Sequence, residues 1–185
     1  MSKPSPALAQ AFTNVGHTFD HALTTLYPTV VLALEVTWGL GYDELITLFI
    51  IGNVLFGLGA LPAGWLGDRW STLGMMVIYF IGLGLATMAT GFARNPFEMI
   101  LGLGATGLFA SIYHPVGMSW LVRTATNRGQ ALGANGVFGA IGVAIGPMLA
   151  GLLIWAHSWQ AAFFVPGAFS VALGVALFAC WRLGL

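Results

Sequence analysis

The chain has 185 residues, of which 58% are hydrophobic and only 6% are charged, and its formal net charge is zero. A soluble domain carries about 25% charged residues, so this composition cannot cover a surface that faces water. The balanced charge excludes a basic surface for nucleic acid, and the single cysteine excludes an intrachain disulfide and multi-cysteine metal motifs. The composition therefore predicts a protein surrounded by membrane lipid.

Formal charges divide the chain into apolar stretches long enough to cross a membrane. About 20 apolar residues cross roughly 30 Å of hydrocarbon. Residues 129–181 are free of formal charge and can hold two crossings, separated at the polar residues 157–160. Polar groups interrupt the first stretch, but its second half is apolar enough to insert. We expect a tail at residues 1–13 and then six transmembrane helices, the first to sixth spans, at about 14–36, 45–66, 72–92, 97–121, 131–155 and 161–181.

Basic residues predict how these spans are oriented. If the N-terminus is cytoplasmic, Arg94 is the only basic residue that falls on the outer side. The others all fall on the inner side: Lys3, Arg69, Arg123, Arg128 and Arg182. This distribution obeys the positive-inside rule. Both termini are therefore predicted to be cytoplasmic.

A weak internal repeat relates the first three spans to the last three. At an offset of 87 residues, Pro28 falls on Pro115, and Gly59 falls on Gly146. Three helices in each repeat give the two repeats opposite topologies, as in many transporters. The sequence thus predicts an all-α membrane protein built from two inverted three-helix repeats.

Asp20 is the only formal charge well inside a predicted span. A charge at the bilayer centre costs about 2.5–3.5 kcal/mol on insertion scales, so intramembrane charges usually serve a function. His17, His21 and Thr24 lie on the same broad helical face as Asp20. Because a carboxylate facing lipid is unfavourable, we expect this face to line a cavity.

His114 lies at a depth similar to that of Asp20. Asp20 is about 9 Å from the cytoplasmic end of the first span at 1.5 Å per residue, and His114 is about seven residues from the same side of the fourth span. Imidazole titrates near neutral pH, so we predict that Asp20 and His114, helped by His17 and His21, bind and release a proton. The alternative is an Asp–His pair that only fixes helix contacts. Asn53, midway along the second span, is a candidate hydrogen-bonding group in the cavity or between helices.

Two motifs resemble the major facilitator superfamily. Between the second and third spans, Gly64 is followed four residues later by Asp68 and Arg69. This is similar to the family's first cytoplasmic loop, in which Asp and Arg form a gating latch. The fifth span resembles the Gly-x-x-x-Gly-Pro pattern of the family's proton-coupled exporters at Gly142, Gly146, Pro147 and Gly151. The resemblance implies that this proline bends the helix and that the glycines allow a close crossing, usually with the second span.

The resemblance also implies a fold. The chain looks like the N-terminal six-helix half of the family's twelve-helix structure, whose first and fourth spans line a central cavity and would bring Asp20 and His114 together. Gly16 with His17, and Tyr113 with His114, are similar to motifs of the fosmidomycin-resistance-like branch. Two features depart from the family. The usual basic residues are missing after Arg69, and the fourth span lacks the buried Arg of many members.

The function that the resemblance implies is secondary active transport of a small molecule across the bacterial inner membrane, as proton-coupled efflux by alternating access. The expected partners are lipid, substrate, proton and a second six-helix half, either a missing C-terminal half or another copy in a homodimer. The chain could be a fragment, a half-size transporter or a remnant. We expect no enzymatic activity, no cofactor and no metal site.

Two other classes of function stay open at this point. A half-length chain could be a membrane interaction or scaffold protein that transports nothing. A membrane cytochrome could bind a haem between His114 and either His17 or His21, although Asp20 would then be unexplained. A hydrolase is not indicated, because no strand pattern, P-loop or catalytic triad is recognisable.

Overall fold

A computed structural model of the chain describes residues 5–184. Within these residues the chain is helical and contains no β-strand, which confirms the predicted all-α class. A π-helical segment, Tyr113–Gly117, lies between the sixth and seventh helices. The α-helices are α1 (Pro6–Thr25), α2 (Tyr27–Trp38), α3 (Tyr42–Thr47), α4 (Ile50–Arg69), α5 (Thr72–Thr90), α6 (Pro96–Ala110), α7 (Met118–Thr124), α8 (Arg128–Ala156) and α9 (Ala161–Leu183).

Five helical segments are long and apolar enough to cross a membrane. They correspond to the second to sixth predicted spans: Tyr42–Arg69, Thr72–Thr90, Pro96–Thr124, Arg128–Ala156 and Ala161–Leu183. The first predicted span falls on α1 and α2, and its crossing of the membrane stays a prediction. Residues 6–13, expected in the tail, already belong to α1, which begins where the Ser5 hydroxyl accepts from the Leu8 N–H at 3.2 Å. Lys3 lies outside the described residues.

The first span is interrupted at Leu26, between α1 and α2. Pro28 has no N–H to donate to the carbonyl of Thr24. The Thr24 hydroxyl donates to the carbonyl of Asp20 at 2.7 Å, a type of bond that bends helices. The first predicted span is therefore divided into two helices, because the local sequence removes part of the backbone hydrogen bonding.

The helices pack in a pattern that reflects the internal repeat. α1 packs along α8, α5 packs along α9, and α6 packs against α4 and α5. The α1–α8 contact joins the first and fifth spans, and the α4–α6 contact joins the fourth and second spans. Exchanging each span of the first repeat with its counterpart in the second repeat therefore converts one contact into the other. The same exchange leaves the α5–α9 contact unchanged. This is the arrangement expected of two three-helix repeats.

Glycines in α8 allow α1 to approach closely. A Cβ added at Gly142 would overlap the carbonyl oxygen of Thr18, and one at Gly146 would lie 2.6 Å from the carbonyl oxygen of Ala22. Small residues at helix crossings in membranes permit this backbone contact. The expected crossing of the fifth span with the second is wrong: α8 packs mainly against α1.

This crossing predicts opposite effects for two alanine substitutions in α8. Gly142→Ala should lower the free energy of unfolding by about 1–3 kcal/mol, because the added methyl group overpacks the interface. Gly136→Ala should be neutral or stabilise by up to about 1 kcal/mol through helix propensity, because an added Cβ there meets nothing within 4 Å. Thermal unfolding in detergent measures both, and equal shifts would contradict the close α1–α8 crossing.

Candidate functional site

Asp20 is completely buried, with 0% of the residue exposed. Its Oδ2 lies 3.4 Å from Nε2 of His114 in the π-helical segment. Within residues 5–184, neither carboxylate oxygen accepts a hydrogen bond. Burying a carboxylate is costly unless it is paired and hydrogen-bonded. The negative charge must therefore be balanced by a proton on His114 or removed by a proton on Asp20 itself.

Three imidazoles gather beside this carboxylate. Nε2 of His17 lies 3.1 Å from Nε2 of His21, one helical turn further along α1. The His114 ring contacts both of the others edge-on, with ring centroids 5.3 Å from His17 and 5.7 Å from His21. The structure thus brings together the four ionisable groups that the sequence singled out, on α1 and in the π-helical segment.

The orientation of His17 is fixed by α8. Its Nδ1 lies 2.8 Å from the backbone carbonyl oxygen of Asn135, so this nitrogen carries the hydrogen and donates it. In a neutral ring Nε2 then accepts, and His21 donates across the 3.1 Å contact. Gly139 makes room for the ring, because an added Cβ would lie 2.6 Å from Cε1 of His17.

The Asn135 side chain links three helical elements and was not among the residues predicted for the site. It is fully buried, and its Nδ2 donates to Oδ1 of Asn14 at 3.2 Å and to the hydroxyl of Tyr113 at 3.0 Å. The Tyr113 hydroxyl donates in turn to the carbonyl of Thr13 at 2.7 Å, and its ring stacks on His17 at 5.0 Å. A lone amide within an apolar span was the available signal, since such groups usually bond between helices.

The backbone at His114 departs from α-helical geometry. Pro115 has no N–H to donate to the carbonyl of Ser111, and the chain forms the wider π-helical turn Tyr113–Gly117. Turns of this kind often occur at functional sites. Gly64 of α4 packs against this turn, where an added Cβ would lie 3.1 Å from Cβ of Pro115. Gly64, predicted as part of a gating loop, therefore also supports the position of His114.

A cavity of about 270 Å³ opens next to the imidazoles, between α1, α4 and α6. Asn53 lies in its wall with an exposed side chain. The ring of Phe56, another wall residue, contacts His114 edge-on at 5.9 Å. Other residues of the wall include His21, Thr24, Phe49 and Thr106.

The predicted gating loop lies at the end of α4. Asp68 forms an ion pair with Arg123 at the end of α7, with an N–O distance of 2.8 Å. Both side chains are more than half exposed, and exposed pairs of this kind contribute about 0–1 kcal/mol. Arg69 instead lies over the ring of Trp65, 4.8 Å from its centroid. The motif in the sequence does not indicate Arg123 as the partner of Asp68.

The remaining residues of the fifth-span motif lie further along α8. Pro147 is inside the helix, which continues through it to Ala156. A Cβ at Gly151 would approach Thr29 only to 3.9 Å, an ordinary van der Waals distance. Close contact in this motif is therefore concentrated at Gly142 and Gly146.

The imidazole cluster has nitrogens within 4.8 Å of one another, a spacing that would admit a metal ion. We interpret it as a hydrogen-bonded site, because His17 bonds His21 and His114 faces Asp20. A haem does not fit between His114 and either of the other rings, since direct ring contact leaves no room for a porphyrin plane.

Residues 12–184 match the sequence profile of the Major Facilitator Superfamily. The chain is 28% identical to a gallate transporter of Pseudomonas putida over 143 residues, covering 76% of this chain and 32% of the relative. It is 29% identical to a probable sulfoacetate transporter of Cupriavidus necator over 113 residues, covering 58% of this chain and 26% of the relative.

A third relative is named for resistance to a compound and not for transport. The chain is 26% identical to a methyl viologen resistance protein of Salmonella typhimurium over 135 residues, covering 71% of this chain and 27% of the relative. The chain thus spans about a third or less of the length of these curated relatives.

Proposed function

Because the chain belongs to the major facilitator superfamily, we propose that it forms six transmembrane helices of a secondary transporter in a bacterial cytoplasmic membrane. The transporter moves a small molecule by alternating access, coupled to a proton, with export as the direction. The exporter-like glycine–proline motif of α8 supports export, and so does the similarity to a resistance protein.

The contact between Asp20 and His114 is the observation that carries this proposal. It joins α1 to the fourth span across 3.4 Å inside a membrane bundle, where a charge without a purpose is costly. With the proton on His114, opposite charges hold the two helices together. With the proton on Asp20 and His114 neutral, this attraction is lost and the helices can separate. Proton movement can therefore bias two arrangements of the bundle.

A second six-helix half completes the transporter in this proposal. In an apolar stretch of 18 residues within α5, 61% of the residues are buried within the chain, compared with 17% in Tyr42–Arg69 and 22% in α8. The second and fifth spans therefore present large apolar surfaces to lipid or to another bundle. Either a C-terminal half or a second copy of the chain would cover part of them.

The proposed orientation places both termini in the cytoplasm. The ion pair of Asp68 with Arg123 then lies at the cytoplasmic end, between the second and fourth spans. Its small contribution to stability suits a contact that opens and closes during transport.

The relatives leave the substrate class open. Two are named for the organic acids gallate and sulfoacetate, and the third for an organic cation, methyl viologen. We propose a small organic ion as the substrate.

Vesicles that contain the purified chain and an internal pH-sensitive dye test this function. Candidate organic ions added outside should change the internal pH only when the protein is present, and an imposed pH gradient should drive their movement. If none of the organic ions changes the internal pH, the chain is expressed together with a C-terminal half from a relative and the experiment is repeated. If neither the chain alone nor the chain with a C-terminal half moves protons, the result would contradict transport and favour a non-transporting membrane scaffold.

A further inference from the structure

We propose that the cavity between α1, α4 and α6 selects a small ring-bearing carboxylate over an organic cation. This inference rests on the proposed transport function and adds the substrate class. It is drawn from three features of the cavity: the placement of charge around it, its size and rings, and its free hydrogen-bonding groups.

The ionisable side chains nearest the cavity are imidazoles. Asp20 is 0% exposed, whereas the His114 side chain is 41% exposed, so the carboxylate lies behind the ring that pairs with it. A cation in the cavity would meet His21 in the wall and His114 beyond Phe56 before it met Asp20. The other titratable groups packed here are His17 of α1, Tyr113 of the π-helical segment and Tyr79 of α5. The described lining contains no residue with a formal charge.

The size and walls of the cavity favour a molecule with a single ring. Its volume of about 270 Å³ is just below the range of about 300–1,000 Å³ found for pockets of drug-sized ligands. Phe49 and Phe56 both lie in the wall, and aromatic rings pack well edge-on or offset against one another. A flat six-membered ring matches this space.

Polar groups in the same wall are available to an anion. The side chain of Asn53 is exposed and makes no hydrogen bond within residues 5–184. The hydroxyl of Thr106 is buried and has no partner among the same residues. Amide N–H and hydroxyl groups can donate to a carboxylate, which accepts at two oxygens. Together with the N–H of the His21 imidazole they can donate to a carboxylate, and these bonds are charge-assisted because the acceptor is ionised. A cation cannot accept them.

Three ligands that share one ring test the charge preference. Binding of benzoate, benzamide and benzylamine to the purified full chain in lipid nanodiscs is measured at pH 6 by competition with radiolabelled benzoate and by calorimetry. We expect benzoate to bind about tenfold more tightly than benzylamine, the difference expected for charge-assisted hydrogen bonds, with benzamide between them. Equal binding, tighter binding of the amine, or no saturable binding of benzoate would overturn the proposal.

Substitutions then locate the site. His21→Phe keeps a ring in the wall and removes the imidazole, so the preference for benzoate should disappear. His157→Phe changes an exposed histidine outside the cavity and should leave the preference intact. Thr106→Val is a second test that preserves shape, and it should weaken benzoate binding severalfold. Unchanged benzoate binding in both cavity variants would overturn the proposed site.

The two proposals fail in different ways. Saturable, selective binding of benzoate without proton-linked movement would support this inference and count against the transport function. Proton-linked movement of benzylamine but not of benzoate would support transport and overturn this inference.

Discussion

Replacing Asp20 with asparagine should abolish movement driven by a pH gradient while the protein stays folded. Asparagine has nearly the same shape but cannot take up or release a proton. The carboxylate oxygens accept no hydrogen bond within residues 5–184, so the substitution removes a buried charge without breaking such a bond. The lost attraction to His114 is offset by removing the cost of an intramembrane charge, about 2.5–3.5 kcal/mol on insertion scales, so we expect the thermal unfolding midpoint to change little.

Glu35→Gln is the matched control for this experiment. Glu35 is the other carboxylate of the first span, in α2, and it is partly exposed. Its substitution should leave both proton-driven movement and the unfolding midpoint unchanged. If the Asp20 variant still moves substrate down a pH gradient at the wild-type rate, Asp20 does not carry the proton.

Replacing Asn135 with leucine should cause the largest loss of stability among the site variants. The substitution removes the hydrogen bonds to Asn14 and Tyr113 and leaves their buried oxygen atoms without this partner. An unsatisfied buried polar group costs about 1–3 kcal/mol, so we expect the free energy of unfolding to fall by roughly 2–3 kcal/mol. Since Asn135 also lies where α8 holds His17, proton-linked movement should weaken as well.

Asn53→Leu makes the same chemical change at an exposed amide that has no hydrogen bond within the described residues. A surface substitution of this kind usually changes stability by less than about 0.5 kcal/mol. Thermal and denaturant unfolding of the two variants in the same detergent gives the comparison. If both lose the same stability, Asn135 does not link the helices as described.

The part of the site that could be predicted from sequence follows from one-dimensional rules. The cost of a buried charge identified Asp20, helical spacing placed His17 and His21 beside it, and counting residues from the span ends gave His114 a matching depth. Each of these arguments needs only distance along a helix. That the first and fourth spans face each other was implied by the resemblance, and the structure brings the four groups together.

Other parts depend on how helices rotate and approach one another, which spacing does not determine. Asn135 joins the site because α8 crosses α1 closely enough for His17 to reach its carbonyl. The partner of Asp68 is Arg123, 55 residues away in sequence. The expected crossing of the fifth span with the second came from resemblance, and the glycines of α8 instead face α1.

The wide turn at Tyr113–Gly117 contains His114 and leads directly into α7, so it lies between the two ion pairs found in residues 5–184, Asp20 with His114 and Asp68 with Arg123. A π-helical turn holds one more residue than an α-helical turn, and one residue corresponds to a rotation of about 100° around the helix axis. Relaxation of this turn into α-helical hydrogen bonding would twist α7 relative to α6 by that amount. His114 would then leave Asp20 as Arg123 swung away from Asp68, so a single twist would release the buried contact and the surface contact together.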